Sequence, residues 1–541
     1  MAVTRIAIVL ANRATRIHDN KLLTASATKF DYVLPIYLLS STSPFSITSP
    51  NVMPSSKRVS FMLDALSTFS TSLTSINPHQ KLNILLSPTP YSDFVNFVSE
   101  LSLSLSLSLS TQVEIFFEAG VSKVQQVEDL QWTQPLKGNK SVTLSPLITY
   151  TLNPDLSSYL VKNEPPKSYG TFCNVFDCLP PPALPLPPIT SLPPPPPNVK
   201  DVFTALKSIT QATLTPSLPP LTESQAAALS KHLGGEKTAL KRMGDVLKKK
   251  AYVLSFEKPK TSPNALEAST TQLSFYLSCG ILSARSFYWG LDGLEKSAGS
   301  GKFSKPPVSL KGQMLWREYN NVFGFAIDNF DKSEGNKIAR QIDWDADEAL
   351  LKRWREGRTG FPFIDAIMRE LRETGWIHHL SRHAVACFLT RGDLYLSWEE
   401  GAKVFEEELL DADYSINNFN WQWLSCTAHF YQYFRCYSPI AFGKKTDKQG
   451  LYIKKWIPEL KNLEAKYIYE PWEATESVLK KAGVKLGGGV GEYPMPMVDH
   501  SVVSKANMAR IAAVYEKHKV GLSGGGSVSG GGSGSKKKQK L

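Results

Sequence analysis

The sequence contains little cysteine and no long apolar run. Six cysteines occur in 541 residues, and the closest pair, Cys173 and Cys178, has no second cluster with which to form a zinc site. No apolar stretch approaches the roughly 18 residues of a membrane span, and Met1–Leu10 lacks the basic flank and cleavage site of a signal peptide. We therefore expect no metal site, no membrane association and no secretion.

Acidic residues are too few to balance the basic ones. The net charge is +12, and the lysines of Lys536–Lys540 account for only part of it. A basic body is typical of proteins that bind a polyanion such as nucleic acid, although positive charge scattered over a solvated surface gives the same sum. Charge alone leaves the partner open.

Short apolar runs characterise the first part of the chain. Ile6–Leu10, Tyr32–Leu39 and Leu82–Leu86 are predicted strands, and Arg58–Leu73 between them has helical periodicity. This alternation predicts an α/β domain with a parallel sheet. Leu101–Ser110 repeats Leu-Ser in register, which fits a strand with one apolar face or a low-complexity insertion, and we favour the insertion.

Proline and then helical periodicity organise the rest of the chain. Pro180–Pro197 is predicted to be an extended linker, because proline fixes φ and lacks a backbone donor. Helical patterns follow at Glu348–Trp354, Phe363–Thr374 and Trp398–Leu410. The predicted domains are an α/β domain of residues 1–135, a Pro-rich interdomain linker of 136–200, a helical domain of 201–521 and a flexible Gly/Ser tail with a terminal lysine cluster of 522–541.

Histidines form the densest group of chemically active residues. His379 and His383 are four residues apart in a helical pattern and so share one face, whereas His378 points elsewhere. A metal is disfavoured, because the Glu of the HExxH pattern is absent. Imidazoles with a pKa near 6.5 can pass a proton at neutral pH, but polar histidines on a helix surface are the plain alternative.

Two further segments contain polar groups that could bind a ligand: one precedes a pair of indoles and the other lies at a predicted helix start. Asp411, Asp413 and Asn417 precede paired indoles, and buried carboxylates need a partner such as Arg382 or a polar ligand. A loop with a helix cap explains them equally well. Thr270–Ser274 places hydroxyls at a predicted helix start, where phosphates bind but where an ordinary N-cap is also common.

Five longer motifs occur in order at family spacing. They are Gly312–Glu318, Glu356–Pro362, Trp376–His383, Thr390–Asp393 and Tyr437–Pro439. Together they closely resemble the cryptochrome/photolyase family, and within it the branch of (6-4) photolyases and animal-type cryptochromes.

The resemblance is dense from about Gly234 to Tyr515 and thin over the first 200 residues. There Arg16–Asn20 is retained, but Leu10–Arg13 replaces the family's usual Trp-Phe-Arg opening. An antenna chromophore of the deazaflavin or folate type therefore stays an open question. The implied fold is a Rossmann-like α/β N-terminal domain joined by a long Pro-rich linker to an all-α FAD-binding domain.

The resemblance implies a set of FAD-binding residues. Thr270, Thr271, Leu273 and Ser274 would meet the phosphates with Arg317 nearby, Arg382 would pair with Asp411 beside the flavin ring, and Asn417 would face flavin N5. The full implied set is Tyr252, Thr270, Thr271, Leu273, Ser274, Arg317, Arg382, Asp411, Asp413 and Asn417.

The resemblance also implies an electron-transfer chain of Trp421, Trp398 and Trp344. The fourth tryptophan that is common in the animal-type branch is replaced by Tyr395. A tyrosine at this position can still donate an electron if it loses its proton, as in some algal animal-like cryptochromes.

The implied activity is blue-light-driven, FAD-dependent repair of (6-4) pyrimidine–pyrimidone photoproducts by electron transfer from reduced flavin with histidine-assisted proton transfer. His379 and His383 occupy the catalytic positions, where photolyases of the cyclobutane type have Asn and Met. The lesion pocket would be lined by Lys260, Gln313, Trp316 and Trp423.

The implied partner is UV-damaged DNA with an extruded nucleotide. The alternative function is a blue-light cryptochrome photoreceptor, with or without repair, whose C-terminal tail contacts signalling proteins. The lysine-rich tail predicts a location in the nucleus, with the cytoplasm as the alternative. The oligomeric state stays open.

Overall fold

The first part of the chain forms a five-stranded parallel sheet. In the computed structural model, which describes residues 3–45, 52–104, 111–197, 199, 202–299, 301 and 303–523, the strand order is β3-β2-β1-β4-β5. Their largely apolar sequences suit a parallel sheet covered on both faces. This order confirms the predicted Rossmann-like α/β fold. The strands are β1 (Thr4–Leu10), β2 (Tyr32–Ser40), β3 (Asn83–Ser87), β4 (Thr111–Glu118) and β5 (Val142–Leu147).

Helices form most of the regular structure outside the sheet. In chain order the α-helices are α1 (Lys21–Ser26), α2 (Ser56–Ile76), α3 (Pro90–Ser104), α4 (Lys123–Leu136), α5 (Tyr169–Cys178), α6 (Gln211–Leu214), α7 (Glu223–Ser230), α8 (Gly235–Lys248), α9 (Lys250–Ser255), α10 (Ser274–Ser278), α11 (Ala284–Ser297), α12 (Leu310–Ala326), α13 (Glu348–Glu356), α14 (Pro362–Thr374), α15 (His379–Cys387), α16 (Trp398–Glu408), α17 (Tyr414–Leu424), α18 (Ala441–Thr446), α19 (Leu451–Trp456), α20 (Glu476–Ala482) and α21 (His500–Ser523). Short 3₁₀ turns lie at Leu156–Tyr159, Leu206–Ser208, Lys258–Lys260, Pro458–Leu460 and Pro471–Glu473, and a π-helical turn lies at Phe388–Gly392.

The buried apolar side chains of the described residues form four large clusters. Residues of α1 and α2 cover one face of the sheet, and residues of α3 and α4 cover the other. The helical part contains two further core clusters, one of which also includes Phe61, Met62 and Ala65 of α2. Helix α17 lies between them, with Phe419 in one and Trp421 in the other. Helix α17 is therefore held from both sides, which suits an element that positions a site.

The sheet extends beyond the predicted domain boundary at residue 135. Strand β5 continues it, and α5 also falls within the stretch 136–200 that the sequence assigned to a linker. Residues 180–197 form no helix or strand, yet Pro194 accepts a 3.0 Å hydrogen bond from the backbone of Val33. The proline segment is thus an extended strap packed against the α/β part. Of the Leu-Ser repeat, residues 101–104 end α3 and 105–110 lie outside the described residues, as do residues 524–541 of the predicted tail.

The retained motif Arg16–Asn20 attaches the α/β part to the helices. Asp19 pairs with Arg285 in a fully buried ion pair. Glu236 accepts 2.7 Å hydrogen bonds from the backbone nitrogens of Ile17 and His18. Because a buried charge that loses its partner is costly, these pairs fix the relation of the two parts. None of the helices in the described ranges combines the length and the apolar composition that crossing a membrane requires.

Candidate active site

The three neighbouring histidines form one cluster at the start of α15. His378 is the N-cap residue and its Nδ1 accepts from Leu380 N at 3.2 Å. The ring centres of His378 and His379 lie 4.2 Å apart, and those of His379 and His383 lie 6.1 Å apart. The predicted pairing of His379 with His383 on one helix face is confirmed. The prediction that His378 points elsewhere is wrong, because its capping role turns its ring towards His379.

All three imidazoles are neutral at pH 7 in this environment. Burial, with the charge of Arg382, lowers the pKa of His378 to about 4. Burial, with the charge of Lys258, lowers the pKa of His383 to about 3 and that of His379 well below 6.5. The expectation of a pKa near 6.5 is therefore wrong, because desolvation and nearby cations both penalise the imidazolium.

Tyr437 completes this cluster from a distant part of the sequence. Its hydroxyl lies 3.2 Å from Nδ1 of His383. The sequence motif Tyr437–Pro439 contained the residue, but its separation of 54 positions from His383 concealed the contact. Long-range pairings of this kind have no periodicity signal in a single sequence.

The residues predicted to line a lesion pocket lie in two different settings. Trp316 of α12 and Trp423 of α17 meet edge to face with ring centres 5.9 Å apart, and Trp316 also stacks on Tyr169 at 4.1 Å. The amide of Gln313 donates to Pro307 O at 2.8 Å. Lys260 lies at the surface with a side chain 73% exposed, and its ammonium is 2.9 Å from Glu257.

The predicted ion pair between Arg382 and Asp411 is present. Arg382 Nη2 lies 2.8 Å from Asp411 Oδ2, and the Asp411 side chain is only 5% exposed. Arg382 also donates through Nε to Ile377 O at 3.1 Å. Asp411 is therefore held as a buried carboxylate with a fixed partner.

Asp413 and Arg317 meet through Tyr150, a residue that the sequence did not single out. The hydroxyl of Tyr150 donates to Asp413, which also caps α17 by accepting from Ile416 N at 2.9 Å. Arg317 lies 4.0 Å from the Tyr150 ring centre and donates to Tyr150 O at 2.9 Å. A residue of the α/β part thus joins two predicted site residues of the helical part.

The remaining predicted cofactor residues are spread over three elements. Helix α10 begins at Ser274 with Leu273 as its N-cap residue, after Thr270 and Thr271. Tyr252 of α9 donates to Ser269 O at 3.1 Å and so lies next to this segment. The Asn417 amide donates to Ala402 O at 2.9 Å, which joins α17 to α16.

Several buried polar atoms in this region lack a hydrogen-bond partner among the described residues. They are Ser269 Oγ, Thr270 Oγ1, Arg317 Nε, His379 Nε2 and Asp411 Oδ1. Buried polar groups are rarely left unpaired in folded proteins. A hydroxyl near a helix start, a carboxylate and a guanidinium are donors and acceptors that suit the phosphates and ring edge of FAD, so the residues present fit that cofactor.

The predicted electron-transfer residues run from buried to half-buried positions. Trp421 and Trp398 are buried, whereas Trp344 is half-buried and its ring centre lies 4.9 Å from that of Tyr395. A Cβ on Gly401 would come within 2.1 Å of Trp421 Cη2, so glycine is required for the indole to approach α16, the helix that begins with Trp398.

A cavity of about 770 Å³ opens between the sheet and the helical part. Its wall includes Leu10, Arg13, Arg58 and Asp413. It lies at the carboxyl ends of the strands, where parallel sheets bind ligands. Arg13, which stands in the segment that departs from the family's opening, pairs with Glu128 and Asp129 at 2.6 and 2.8 Å. The open question of an antenna chromophore therefore concerns this cavity.

Comparison of the sequence places the helical part among known proteins. Residues 309–513 match a family model described as the FAD binding domain of DNA photolyase. Cryptochrome-1 of Gallus gallus is 53% identical over 284 residues, which are 52% of this chain and 45% of that protein. The (6-4)DNA photolyase of Oryza sativa subsp. japonica is 50% identical over 293 residues, which are 54% of this chain and 52% of that protein. The matches thus span about half the length of these curated relatives.

Solved structures resemble most of the length of this chain. A bacterial class III photolyase from Agrobacterium tumefaciens has a TM-score of 0.78 at 24% identity, over 95% of this chain and 98% of that one. A cryptochrome from Synechocystis sp. PCC6803 has a TM-score of 0.77 at 22% identity, over 94% and 99%. These likenesses show the fold. The matched FAD-binding domain and the half-identical relatives place the helical part of the chain in the photolyase/cryptochrome family.

Proposed function

We propose that this protein is a blue-light-driven, FAD-dependent DNA photolyase that repairs (6-4) pyrimidine–pyrimidone photoproducts. The observation that supports this most is the cluster of three imidazoles with the Tyr437 hydroxyl, which collects acid–base groups at one place. The half-identical rice relative named (6-4)DNA photolyase agrees with it.

FAD, when bound, would supply light-driven electron transfer. The residues proposed to hold it are Tyr252, Thr270, Thr271, Leu273, Ser274, Arg317, Arg382, Asp411, Asp413 and Asn417. Arg382 fixes the Asp411 carboxylate, and Asp411 Oδ1 has no other partner among the described residues, so it is available to a donor on the cofactor. The side chains Trp421, Trp398, Trp344 and Tyr395 supply electrons from the surface side.

The histidine pair is proposed to move the proton that repair requires. If the Tyr437 hydroxyl donates to Nδ1 of His383, 3.2 Å away, the neutral ring carries its proton on Nε2. His379 Nε2 is buried and has no partner among the described residues, which leaves it able to bind a polar group of the substrate. Tyr437 thereby orients His383 for proton transfer.

The proposed substrate is UV-damaged DNA with the damaged nucleotide extruded from the duplex. Gln313, Trp316, Trp423 and Lys260 are proposed to line its pocket, because crossed indoles offer faces on which a base can stack. The net charge of +12 favours contact with phosphates, and the lysine tail favours a nuclear location. The bounds of the helical domain, residues 201–521, stay part of this proposal.

A blue-light photoreceptor is the second candidate function. Cryptochrome-1 of Gallus gallus is as similar to this chain as the rice photolyase is. In addition, α21 packs over Tyr395, so the proposed end of the electron chain lies next to the last described helix. A change there could be passed to signalling proteins through the tail.

A repair assay carried out under blue light and in the dark separates the two candidate functions. Purified FAD-loaded protein is mixed with an oligonucleotide containing one (6-4) photoproduct, and restoration of the bases is followed by chromatography under blue light and in the dark. The proposal expects restoration only in light, and none for a matched oligonucleotide with a cyclobutane dimer. Light-induced flavin reduction without any restoration would reject repair and favour the photoreceptor.

A further inference from the structure

We propose that Tyr150 holds Arg317 and Asp413 apart as two separate charges, so that each can bind its own group of the cofactor instead of neutralising the other. The inference rests on the proposed FAD site, to which Arg317 and Asp413 belong. It assigns a positioning role to Tyr150, which lies in the stretch 136–200 that the sequence assigned to a linker.

Arg317 and Asp413 are buried opposite charges that do not pair with each other. Arg317 is 8% exposed and Asp413 is 7% exposed. Among the described residues, the hydrogen bond of the Arg317 side chain goes to Tyr150, and those of the Asp413 side chain go to Tyr150 and Ile416. Because buried charges without an ion-pair partner are costly, their separation needs a physical reason.

The side chain of Tyr150 contacts both charges at once. The guanidinium carbon of Arg317 lies 4.0 Å from the ring centre, over the face of the ring. At the end of the same ring the hydroxyl donates to Asp413. Burial, with the charge of Asp413, raises the pKa of Tyr150 well above 10, so the hydroxyl keeps the proton that it donates. The ring thus occupies the space in which the guanidinium and the carboxylate would otherwise meet.

The backbone around Tyr150 is fixed from both parts of the chain. Tyr150 N donates to Glu118 Oε1 of β4 at 2.8 Å, and Tyr150 O accepts from Arg317 Nη1 at 2.9 Å. Two residues further on, Leu152 N donates at 2.9 Å to Glu318, the neighbour of Arg317 on α12. Both glutamates are buried, and hydrogen bonds from backbone N–H groups to carboxylates are strong. The position of the ring is therefore set by the fold of the protein itself.

Each of the two charges keeps unused hydrogen-bonding capacity. Arg317 Nε is buried and has no partner among the described residues. Each oxygen of Asp413 accepts one hydrogen bond, whereas a carboxylate offers about four lone-pair sites. A direct ion pair would use these same donors and acceptors. Tyr150 thereby leaves the guanidinium to an anion such as a phosphate of FAD, and the carboxylate to a hydroxyl or N–H group of FAD.

The dissociation constant of FAD tests this role. It is measured by diluting the FAD-loaded protein and following the fluorescence of released flavin. Tyr150→Leu removes both the ring and the hydroxyl, so Arg317 can pair with Asp413, and the affinity for FAD should fall about 10- to 100-fold, the worth of one hydrogen bond to a charged group. Tyr150→Phe keeps the ring between the charges and should lose less affinity than Tyr150→Leu.

A second substitution, Asp413→Asn, separates a positioning role from a structural one. Asparagine still suits the N-cap of α17 but has no charge. In this background Arg317 has no carboxylate to pair with, so adding Tyr150→Leu should weaken FAD binding by no more than about two-fold, the usual scatter of additive effects. A structural role of Tyr150 would give the same loss in both backgrounds.

Tyr452→Phe is the matched control. It removes another buried tyrosine hydroxyl that donates to a carboxylate, Glu370 Oε2 at 2.5 Å, outside the proposed cofactor site. It should leave the dissociation constant of FAD unchanged. Urea midpoints report the folding of every variant. If Tyr150→Leu fails to fold, Tyr150→Met replaces it, because a flexible thioether fills irregular space without a ring.

Three results would overturn the inference: unchanged FAD affinity in Tyr150→Leu, equal losses in Tyr150→Leu and Tyr150→Phe, or the same loss with and without Asp413→Asn. These readouts need no repair. Absence of repair together with the predicted dissociation constants would reject the proposed function alone. Repair together with unchanged FAD affinity in Tyr150→Leu would reject the role of Tyr150 alone.

Discussion

The guanidinium carbon of Arg510 lies 3.6 Å from the ring centre of Tyr395. Arg510 also binds both carboxylate oxygens of Asp345 at 2.7 Å, and Asp345 follows Trp344 in the chain. A fixed positive charge above the ring opposes a cationic radical on Tyr395, and burial raises the pKa of its hydroxyl. In the proposed role, oxidation of Tyr395 would therefore be accompanied by loss of its proton; the charges of Asp345 and Asp343 act on its hydroxyl.

Tyr395→Phe should shorten the lifetime of the charge-separated state. The flavin would still be photoreduced and Trp344 still oxidised, but the hole could not move to a phenoxyl radical and would recombine faster. Transient absorption at the tyrosyl and tryptophanyl bands measures both. A lifetime equal to that of the unmodified protein, or no tyrosyl signal in the latter, would contradict this role.

Asp411→Ala should release FAD and destabilise the fold. It leaves Arg382 without its carboxylate, and breaking a buried pair in this way typically costs about 3 kcal/mol. The ratio of flavin to protein absorbance and the urea midpoint measure the two effects. The matched control is Glu164→Ala, which breaks the exposed pair with Lys337 and should change neither. Full flavin occupancy in Asp411→Ala would count against the assigned cofactor site.

The contribution of the buried histidines to stability should fall as the pH is lowered from about 7 to 4. Burial lowers the pKa of His232 and His378 to about 4 and of His383 and His429 to about 3. At these four histidines the unfolded state binds more protons than the folded state in this range, so their contribution to the free energy of unfolding falls, whereas a buried carboxyl group with a raised pKa, such as Glu370, acts in the opposite direction. Urea midpoints at pH 7.5 and 5 measure the slope.

His429→Phe should reduce this pH slope, because it removes one titrating group while keeping a ring against Phe419, whose centre lies 3.9 Å away. The exposed His79 gives the matched control, and His79→Gln should leave the slope unchanged. The same change in midpoint between pH 7.5 and 5 in His429→Phe and in the unmodified protein would contradict the buried, neutral state of His429.

Affinity for undamaged duplex DNA should fall steeply as salt rises. Phosphate contacts by Lys and Arg release counterions, so the logarithm of affinity falls linearly with that of salt concentration. Fluorescence anisotropy between about 50 and 200 mM salt, a range over which phosphate-binding proteins lose large factors in affinity, measures the slope. An affinity independent of salt would show that the basic surface does not contact phosphates.

The sequence predicted the elements whose side chains face a continuous core. Strands β1 to β3 and helices α13, α14 and α16 lie within two residues of their predicted bounds, because an uninterrupted apolar run or a helical stripe marks them. Strand β5 was missed. It is an edge strand and contains Ser145 and Pro146, which edge positions tolerate and which hide the strand pattern.

The candidate site was predictable only where family motifs contained it. Tyr150 and Lys258 lie outside those motifs. Tyr437 lies inside one, but its contact with His383 spans 54 positions, and a single sequence does not encode such proximity. The lowered histidine pKa was missed for a related reason, since it depends on burial and on Lys258 and Arg382 together. The residue type identified the histidines as acid–base groups, but their protonation state depends on tertiary packing.

The measurement that tests the central claim most directly compares repair and photoreduction in one sample. Two yields per absorbed photon are measured in the unmodified protein, His379→Ala and His383→Ala. They are the yield of (6-4) photoproduct repaired and the yield of flavin reduced. General acid catalysis is worth about 100- to 10,000-fold, so repair should fall by that order while FAD content and photoreduction through Trp421, Trp398 and Trp344 stay unchanged. Repair at the unmodified yield in both variants, or loss of FAD together with repair, would contradict the account and make the histidines structural.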